Sequence, residues 1–204
     1  MIIDGRAIAE EVYAELQARS SRTLILGIVV ASHDSVIESF VRIKSRAAVR
    51  LGVELRRIDL LNKPTTADAL AAIEKLANDV DGIIVQLPLP ESLDTEAILR
   101  AIPAYLDVDG INPIIAEPAR LVRAPVAGAI EEILKRNTLE LKDKKAVVVG
   151  AGRLVGVPAA ELLKSLGAQV SIVTRQSGSL EQLHDADIIV LGAGDPGFVK
   201  PEMI

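Results

Sequence analysis

Four residues within the first 110 of the sequence carry functional groups where packing alone does not ask for them: Lys44, Gln86, Asp107 and Asp109. Lys44 lies in "IESFVRIKSRAA" (37–48). With Phe40 taken as zero on a helix, Lys44 falls at roughly 40°, Ala47 at about −20°, Leu51 at about 20°, Ile37 at about 60° and Val36 at about −40°. Glu38, Ser39, Arg42, Ser45 and Arg46 take the opposite side. The lysine is therefore expected within the apolar stripe, one turn after the ring of Phe40. Burying an ammonium is costly, and a lysine so placed is suited to giving or taking a proton. The competing reading is a stem that follows apolar surface and ends in water. Gln86 closes the apolar run "DGIIVQL", just before "PLP"; Leu87 and Pro88 follow it. Strand ends on one edge of a parallel sheet are where open α/β folds place ligand groups. In "DVDG" (107–110) a carboxylate can accept from a donor-rich heterocycle, although aspartates in turns are commonly local caps.

The second half offers a different chemistry. "KKAVVVGAGRLVGVPAAELLKSLGAQVSIVTRQS" (144–177) reads as a strand, a glycine turn, a helix and a second strand. Gly150, Gly152 and Gly156 are spaced G-x-G-x-x-x-G, one residue longer than the usual dinucleotide fingerprint. A turn without side chains lets backbone N–H groups and a helix N-terminus approach a pyrophosphate. The candidate cofactor contacts are Gly150, Gly152, Arg153, Leu154, Val155 and Gly156, with Thr174 and Arg175 at the end of the second strand. An acid at that strand end would select NAD, whereas an arginine suits a 2′-phosphate. Arg175 therefore leans the reading toward NADP over NAD; an exposed charge is the alternative.

These groups need a scaffold, and the hydrophobic pattern supplies one. The runs 23–31, 53–60, 81–87, 145–151, 169–174 and 186–193 are strand candidates. Helix-period segments lie near 5–19, 35–51, 66–78, 94–102, 126–137 and 155–167. Continuous Val/Ile runs separated by helices imply parallel strands covered on both faces. Thr66 and Asp68 are expected to begin a helix, and Gly52 and Gly167 to end theirs. The stretch 103–123, rich in Pro, Asp and Gly, holds no clear long element and divides three strands from three more. Two α/β lobes are expected, 1–122 and 123–204, with a cleft between them. One continuous sheet with a long loop is the alternative.

Composition narrows the classes. The chain has 204 residues, a net charge of −5 and no cysteine, which excludes disulfide and thiolate chemistry and fits a reducing cytoplasm. The start lacks the basic and apolar segments of a secretion signal, and no apolar run approaches a bilayer span. Mild acidity and four aromatics argue against nucleic acid as a partner. His33 and His184 stand alone in the sequence and offer no metal-ligand spacing.

Several segments together carry a resemblance. "MIIDGRAIAEEV", "SFVRIK", "DGIIVQLPLP", "DVDGINP" and "VVVGAGRLVGVPAAELL" occur in the order and spacing of the bifunctional methylenetetrahydrofolate dehydrogenase/cyclohydrolase family, from Met1 to Ile204. The resemblance implies an N-terminal catalytic domain with a parallel sheet and a Rossmann-like NAD(P)-binding domain. It implies oxidation of 5,10-methylenetetrahydrofolate with NAD(P), hydrolysis of the methenyl product to 10-formyltetrahydrofolate, and a homodimer serving one-carbon metabolism and purine biosynthesis. Lys44 would be the catalytic lysine of the hydrolytic step, Gln86 would position it, and Asp109 would bind the pterin; Phe40, Leu87 and Pro88 would line the substrate site.

The sequence also departs from that family. Its tyrosine one turn before the lysine is Phe40 here, and a serine three residues earlier is Ile37. A Pro-Cys-Thr-Pro segment is replaced by "APVA" (124–127), the loop serine by Gly152, and a His-Ser pair by Thr174 and Arg175. Hydride transfer mainly needs two rings placed together, while water activation needs the polar set, so cyclohydrolysis is the less secure of the two activities. A non-catalytic folate- or dinucleotide-binding homologue and a shikimate-type dehydrogenase are the competing readings. "DPGFVKPEMI" resembles the family's approach to a further strand, so a strand, a "PGGVGP"-type loop and a closing helix are expected beyond Ile204, and the sequence reads as truncated at its C-terminus.

Overall fold

A computed structural model describes residues 2–19, 22–60, 63–116, 119–194 and 197–204. Met1, Asp195 and Pro196, which begin two of the segments quoted above, lie outside the described residues. The chain divides into two compact units, residues 1–122 and 123–204.

The first unit runs α1 (Gly5–Arg19), β1 (Ile25–Val30), α2 (Ser35–Leu51), β2 (Glu54–Asp59), α3 (Thr66–Ala77), β3 (Gly82–Val85) and α4 (Thr95–Arg100). Its three strands are parallel, in the order β2-β1-β3. Because side chains alternate across a strand, β1 and β3 each feed two cores. Ile28, Val30 and Ile84 meet Ile37 and Val41 of α2 on one face. Val29, Ile83 and Val85 meet Ile73, Leu76, Ile98 and Leu99 on the other.

Three devices fix α2, the helix that carries Lys44. The carboxylate of Asp34 caps its start, accepting from the N–H groups of Val36 and Ile37 at 2.9 Å each. Gly52 ends it with φ of 68°, a left-handed conformation that favours glycine. Arg57 of β2 forks onto Glu38 in the first turn, and that guanidinium holds the Glu38 carboxyl down at about 2. Helix α1 buries no residue fully and is tied to α2 through Arg50, which grips Glu10 at 2.7 and 2.6 Å and covers the ring of Tyr13.

The buried stripe of α2 differs from the expected one. Ile37, Val41 and Ala48 are buried, whereas Val36 and Phe40 are 60% and 51% exposed. The stripe is rotated toward Val41, so Phe40 is not at its centre and Lys44 is half-buried on its flank. A second correction is small: Thr65, not Thr66, caps α3, in a reciprocal box with Asp68.

The second unit runs α5 (Pro125–Arg136), β4 (Lys145–Val149), α6 (Gly156–Ser165), β5 (Gln169–Val173) and β6 (Ile188–Leu191), with 3₁₀ turns at Leu180–Leu183 and Pro201–Met203. Its strands are also parallel and repeat the arrangement of the first unit, β5-β4-β6, in a separate sheet. Ala146 and Val148 pack on Leu134, Ala160 and Leu163. Val147, Val149 and Val173 pack on Leu183, with Phe198, Val199 and Met203 beside them. Gly167, with φ of +89°, follows the end of α6.

Candidate active site

In the first unit, the C-terminal end of β3 delivers Gln86 to α2. The Gln86 N–H still donates to Val29 of β1 at 2.9 Å, so its backbone continues the sheet. The residue is 6% exposed. The amide Nε2 donates to the Leu87 carbonyl at 2.8 Å, and Oε1 accepts from the Nζ of Lys44 at 3.0 Å. An ammonium can only donate, so the glutamine is fixed at both ends and holds one of the lysine's three N–H bonds. Leu87 is half-buried and Pro88 exposed. Phe40 stands one helical turn before Lys44 with half of its surface open.

The two aspartates of "DVDG" separate in role. Asp107 is 5% exposed, and its carboxylate accepts from the backbone N–H groups of Ile111 and Asn112 at 3.2 and 2.8 Å. Asp109 is half-buried and within the field of Lys44. Burial pushes its carboxyl above the usual range; the lysine pulls back, and the neighbouring Asp107 pushes further up. Lys44, Gln86 and Asp109, far apart in sequence, thus gather on one side of the first unit. An ammonium, an amide and a partly dehydrated carboxylate can together hold a polar heterocycle and handle a proton beside it.

In the second unit the chain leaves β4 into the glycine loop. Gly150 has φ of +99°, and a Cβ there would meet the backbone of Gly192 at 3.0 Å. A Cβ on Gly156 would lie 2.0 Å from the Gly150 carbonyl oxygen. Gly152 differs: its Cβ would meet nothing within 4 Å. The first turn of α6 has no side-chain cap, which leaves its N-terminus suited to an anion. At the ends of β4, β5 and β6 lies a cavity of about 480 Å³, lined by Val149, Gly150, Val173, Thr174, Arg175, Ala193, Gly194 and Phe198. This is where the strand order reverses, the usual ligand position in such sheets. Of the predicted contacts, Gly150, Thr174 and Arg175 line the cavity. Gly152, Arg153, Leu154, Val155 and Gly156 form the loop and helix start beside it without lining it.

Sequence reasoning missed Ala193, Gly194 and Phe198. The "GAG" at 192–194 after a strand was the available signal, but its relevance depends on β6 pairing with β4. It also missed Asn112, buried at 2% exposure.

A parallel sheet with a glycine turn and a cavity at its switch point defines a dinucleotide-binding unit. Joined to a second α/β unit carrying a lysine, an amide and a carboxylate, it defines a two-unit α/β dehydrogenase. The family model for the tetrahydrofolate dehydrogenase/cyclohydrolase catalytic domain matches residues 3–109, and that for its NAD(P)-binding domain matches residues 124–204. The chain belongs to this tetrahydrofolate dehydrogenase/cyclohydrolase family. The bifunctional protein FolD of Halothermothrix orenii is 37% identical over 219 residues, covering 100% of this chain and 77% of its own length. The bifunctional FolD structure from Campylobacter jejuni superposes with a TM-score of 0.91 at 28% identity, covering 98% of this chain and 76% of that one. The Trypanosoma brucei FolD structure, a complex with NADP and an inhibitor, gives 0.91 at 28% identity, covering 100% and 75%. Membership makes the chain an enzyme of one-carbon metabolism, with a catalytic and an NAD(P)-binding domain. Among the described residues, no helix is long and apolar enough to cross a membrane.

Proposed function

We propose that this chain oxidises 5,10-methylenetetrahydrofolate to the methenyl derivative with NADP and hydrolyses that product to 10-formyltetrahydrofolate, with residues 1–122 binding the folate and residues 123–204 the dinucleotide. The observation that carries the reading is the Lys44 Nζ to Gln86 Oε1 hydrogen bond of 3.0 Å, with Asp109 within the field of the same ammonium. Asp109 accepts from N–H donors of the pterin, and the exposed ring of Phe40 offers it a stacking surface. Gln86 keeps Lys44 aimed, and Lys44 handles the proton as water adds to the methenyl carbon and a C–N bond opens. Leu87 and Pro88 complete the wall beside Gln86.

The second unit fits the dinucleotide. Gly150 and Gly156 would allow a close backbone approach, the uncapped start of α6 would hold the pyrophosphate, and Thr174 and Arg175 border the cavity. The dinucleotide, when bound, accepts the hydride. Thr174 spends its hydroxyl on the turn, accepting from the N–H groups of Gln176 and Ser177 at 3.2 and 3.1 Å, so Arg175 sits at the apex of a fixed turn. A guanidinium there favours NADP through its 2′-phosphate. A cytoplasmic homodimer whose formyl product feeds purine biosynthesis goes with this reading; the cysteine-free composition supports the compartment.

Purified protein given methylenetetrahydrofolate and NADP should accumulate the methenyl product, followed by its absorbance. No turnover with NADP or NAD, in protein with an intact fold by circular dichroism, overturns the reading. Arg175→Ala should raise the KM for NADP roughly ten- to a hundredfold, the worth of one hydrogen bond to a charged group. The KM for NAD should stay within about threefold, because the lost contact is to a phosphate that NAD lacks.

A further inference from the structure

Asp109 stands on a segment that is anchored on both sides of β3. The Leu106 carbonyl accepts from the Ile83 N–H at 2.7 Å, and Asp107 forms a single parallel bridge with Ile83, so the chain briefly extends the sheet past β3. Leu106 and Ile111 sink into the core on the α3 face. Val108 goes to the other face, onto the cluster that holds Ile37 and Val41 of α2. It fits there because position 82 has no side chain: a Cβ on Gly82 would lie 2.5 Å from Val108 Cγ1. The conformation of Gly82 does not require glycine; the space does.

The other anchor is a buried anion. Among the described residues, no lysine or arginine lies within ion-pair distance of the Asp107 carboxylate, which is spent on two backbone N–H groups, those of Ile111 and Asn112. The Asn112 side chain continues the anchor. It donates to the Ile102 carbonyl at 2.8 Å and accepts from the Ile114 N–H at 3.1 Å. Gly110, with φ of 60°, turns the chain from Asp109 back to Ile111 and Asn112, whose N–H groups Asp107 holds. The geometry leaves Asp109 as the half-buried tip of a turn whose base is stapled beneath it.

We infer that Asp107, together with Gly82 as the seat of Val108, forms a positioning device that fixes where the Asp109 carboxylate stands on the side of the unit that carries Lys44 and Gln86. The inference rests on the folate-binding role of Asp109. An aspartate suits the position because it accepts twice, whereas an asparagine turns an NH₂ toward one of two buried N–H groups and leaves it unpaired. Asp107 also acts on Asp109 electrostatically. Burial raises the Asp109 carboxyl first, and the like charge of Asp107 adds to that, against Lys44 of α2.

The test compares kcat, KM for methylenetetrahydrofolate and the pH profile of kcat/KM in wild type, Asp107→Asn, Gly82→Ala and Gly82→Ala/Val108→Ala. Only the ionised Asp109 presents both oxygens as acceptors, and protonation turns one of them into a donor, so activity falls as pH drops through its pKa. In Asp107→Asn the like charge is gone, so that acid limb moves to lower pH while KM rises about tenfold or more from a displaced carboxylate. Gly82→Ala raises KM comparably with kcat less affected, and trimming Val108 in the double variant recovers most of the loss. Lower melting temperatures with KM and the acid limb unchanged in both single variants would reduce the device to a stability element and overturn the inference. Should Asp107→Asn fail to fold, the Gly82 and Val108 pair decides alone: failure of the double variant to recover KM overturns it. Absence of wild-type turnover, by contrast, refutes the folate reading itself.

Discussion

Lys44→Met should slow hydrolysis of methenyltetrahydrofolate by about two to four orders of magnitude, the usual worth of a positioned acid–base group, and leave hydride transfer within about tenfold of wild type. Methionine matches the length of the lysine stem and keeps the helix propensity of α2. Lys44 flanks the stripe of Ile37, Val41 and Ala48, so an unbranched apolar chain fits where its methylenes lay. Its charge is what disappears. Gln86 Oε1, in a residue 6% exposed, loses its donor; an unpaired acceptor costs about 1–3 kcal/mol, offset in part because an ammonium no longer has to be half-buried. The melting temperature should therefore move little. Hydride transfer depends on the placement of two rings, which the lysine's proton chemistry does not supply. Following NADPH and the methenyl absorbance separately distinguishes the two steps. An equal fall in both would show that Lys44 serves a shared binding role and not the proton of the hydrolytic step.

The alternation of elements was legible because each Val/Ile run is long enough to be covered on both faces, and each intervening segment keeps a helical period. The rotation of α2 was not. Apolar residues at 36, 37, 40, 41 and 43 span a wide arc, and the sequence does not say which edge of that arc the sheet covers. The sheet covers Ile37 and Val41, leaving Val36, Phe40 and Ile43 exposed. Lys44 lies within the stripe expected from the sequence and on the flank of the observed one, half-buried, so part of the oddity of its position survived the error. In "DVDG" the two aspartates look alike on paper. Only the bridge of Asp107 to Ile83 decides that one faces the backbone beneath while the other remains at the tip. The cavity in the second unit shows the same limit: Ala193 and Gly194 reach it through the strand order β5-β4-β6, a non-local fact.

Gly156→Ala should abolish NADP binding in practical terms, raising Kd at least about a hundredfold, and should destabilise the second unit by about 3 kcal/mol, the upper range for overpacking. The added Cβ would sit 2.0 Å from the Gly150 carbonyl oxygen, 2.7 Å from its carbon and 3.1 Å from Ala151 Cα. All three are backbone atoms, so no side chain can swing away. Gly150 is itself tied down, because its N–H donates to the Val173 carbonyl at 2.8 Å. Relief must come from moving the start of α6 off the end of β4, which opens the turn that would meet the pyrophosphate. The control lies four residues earlier. Gly152→Ala places its Cβ where nothing stands within 4 Å, at an ordinary φ, so the variant should melt with wild type. Any loss of NADP affinity it shows then reports on the ligand's side of the loop, since the protein's side has room. Calorimetric titration with NADP and thermal melts of both variants check the pair. Equal destabilisation by the two alanines would contradict this loop geometry and, with it, the division of the glycines into one that yields to the protein and one left open to the cofactor.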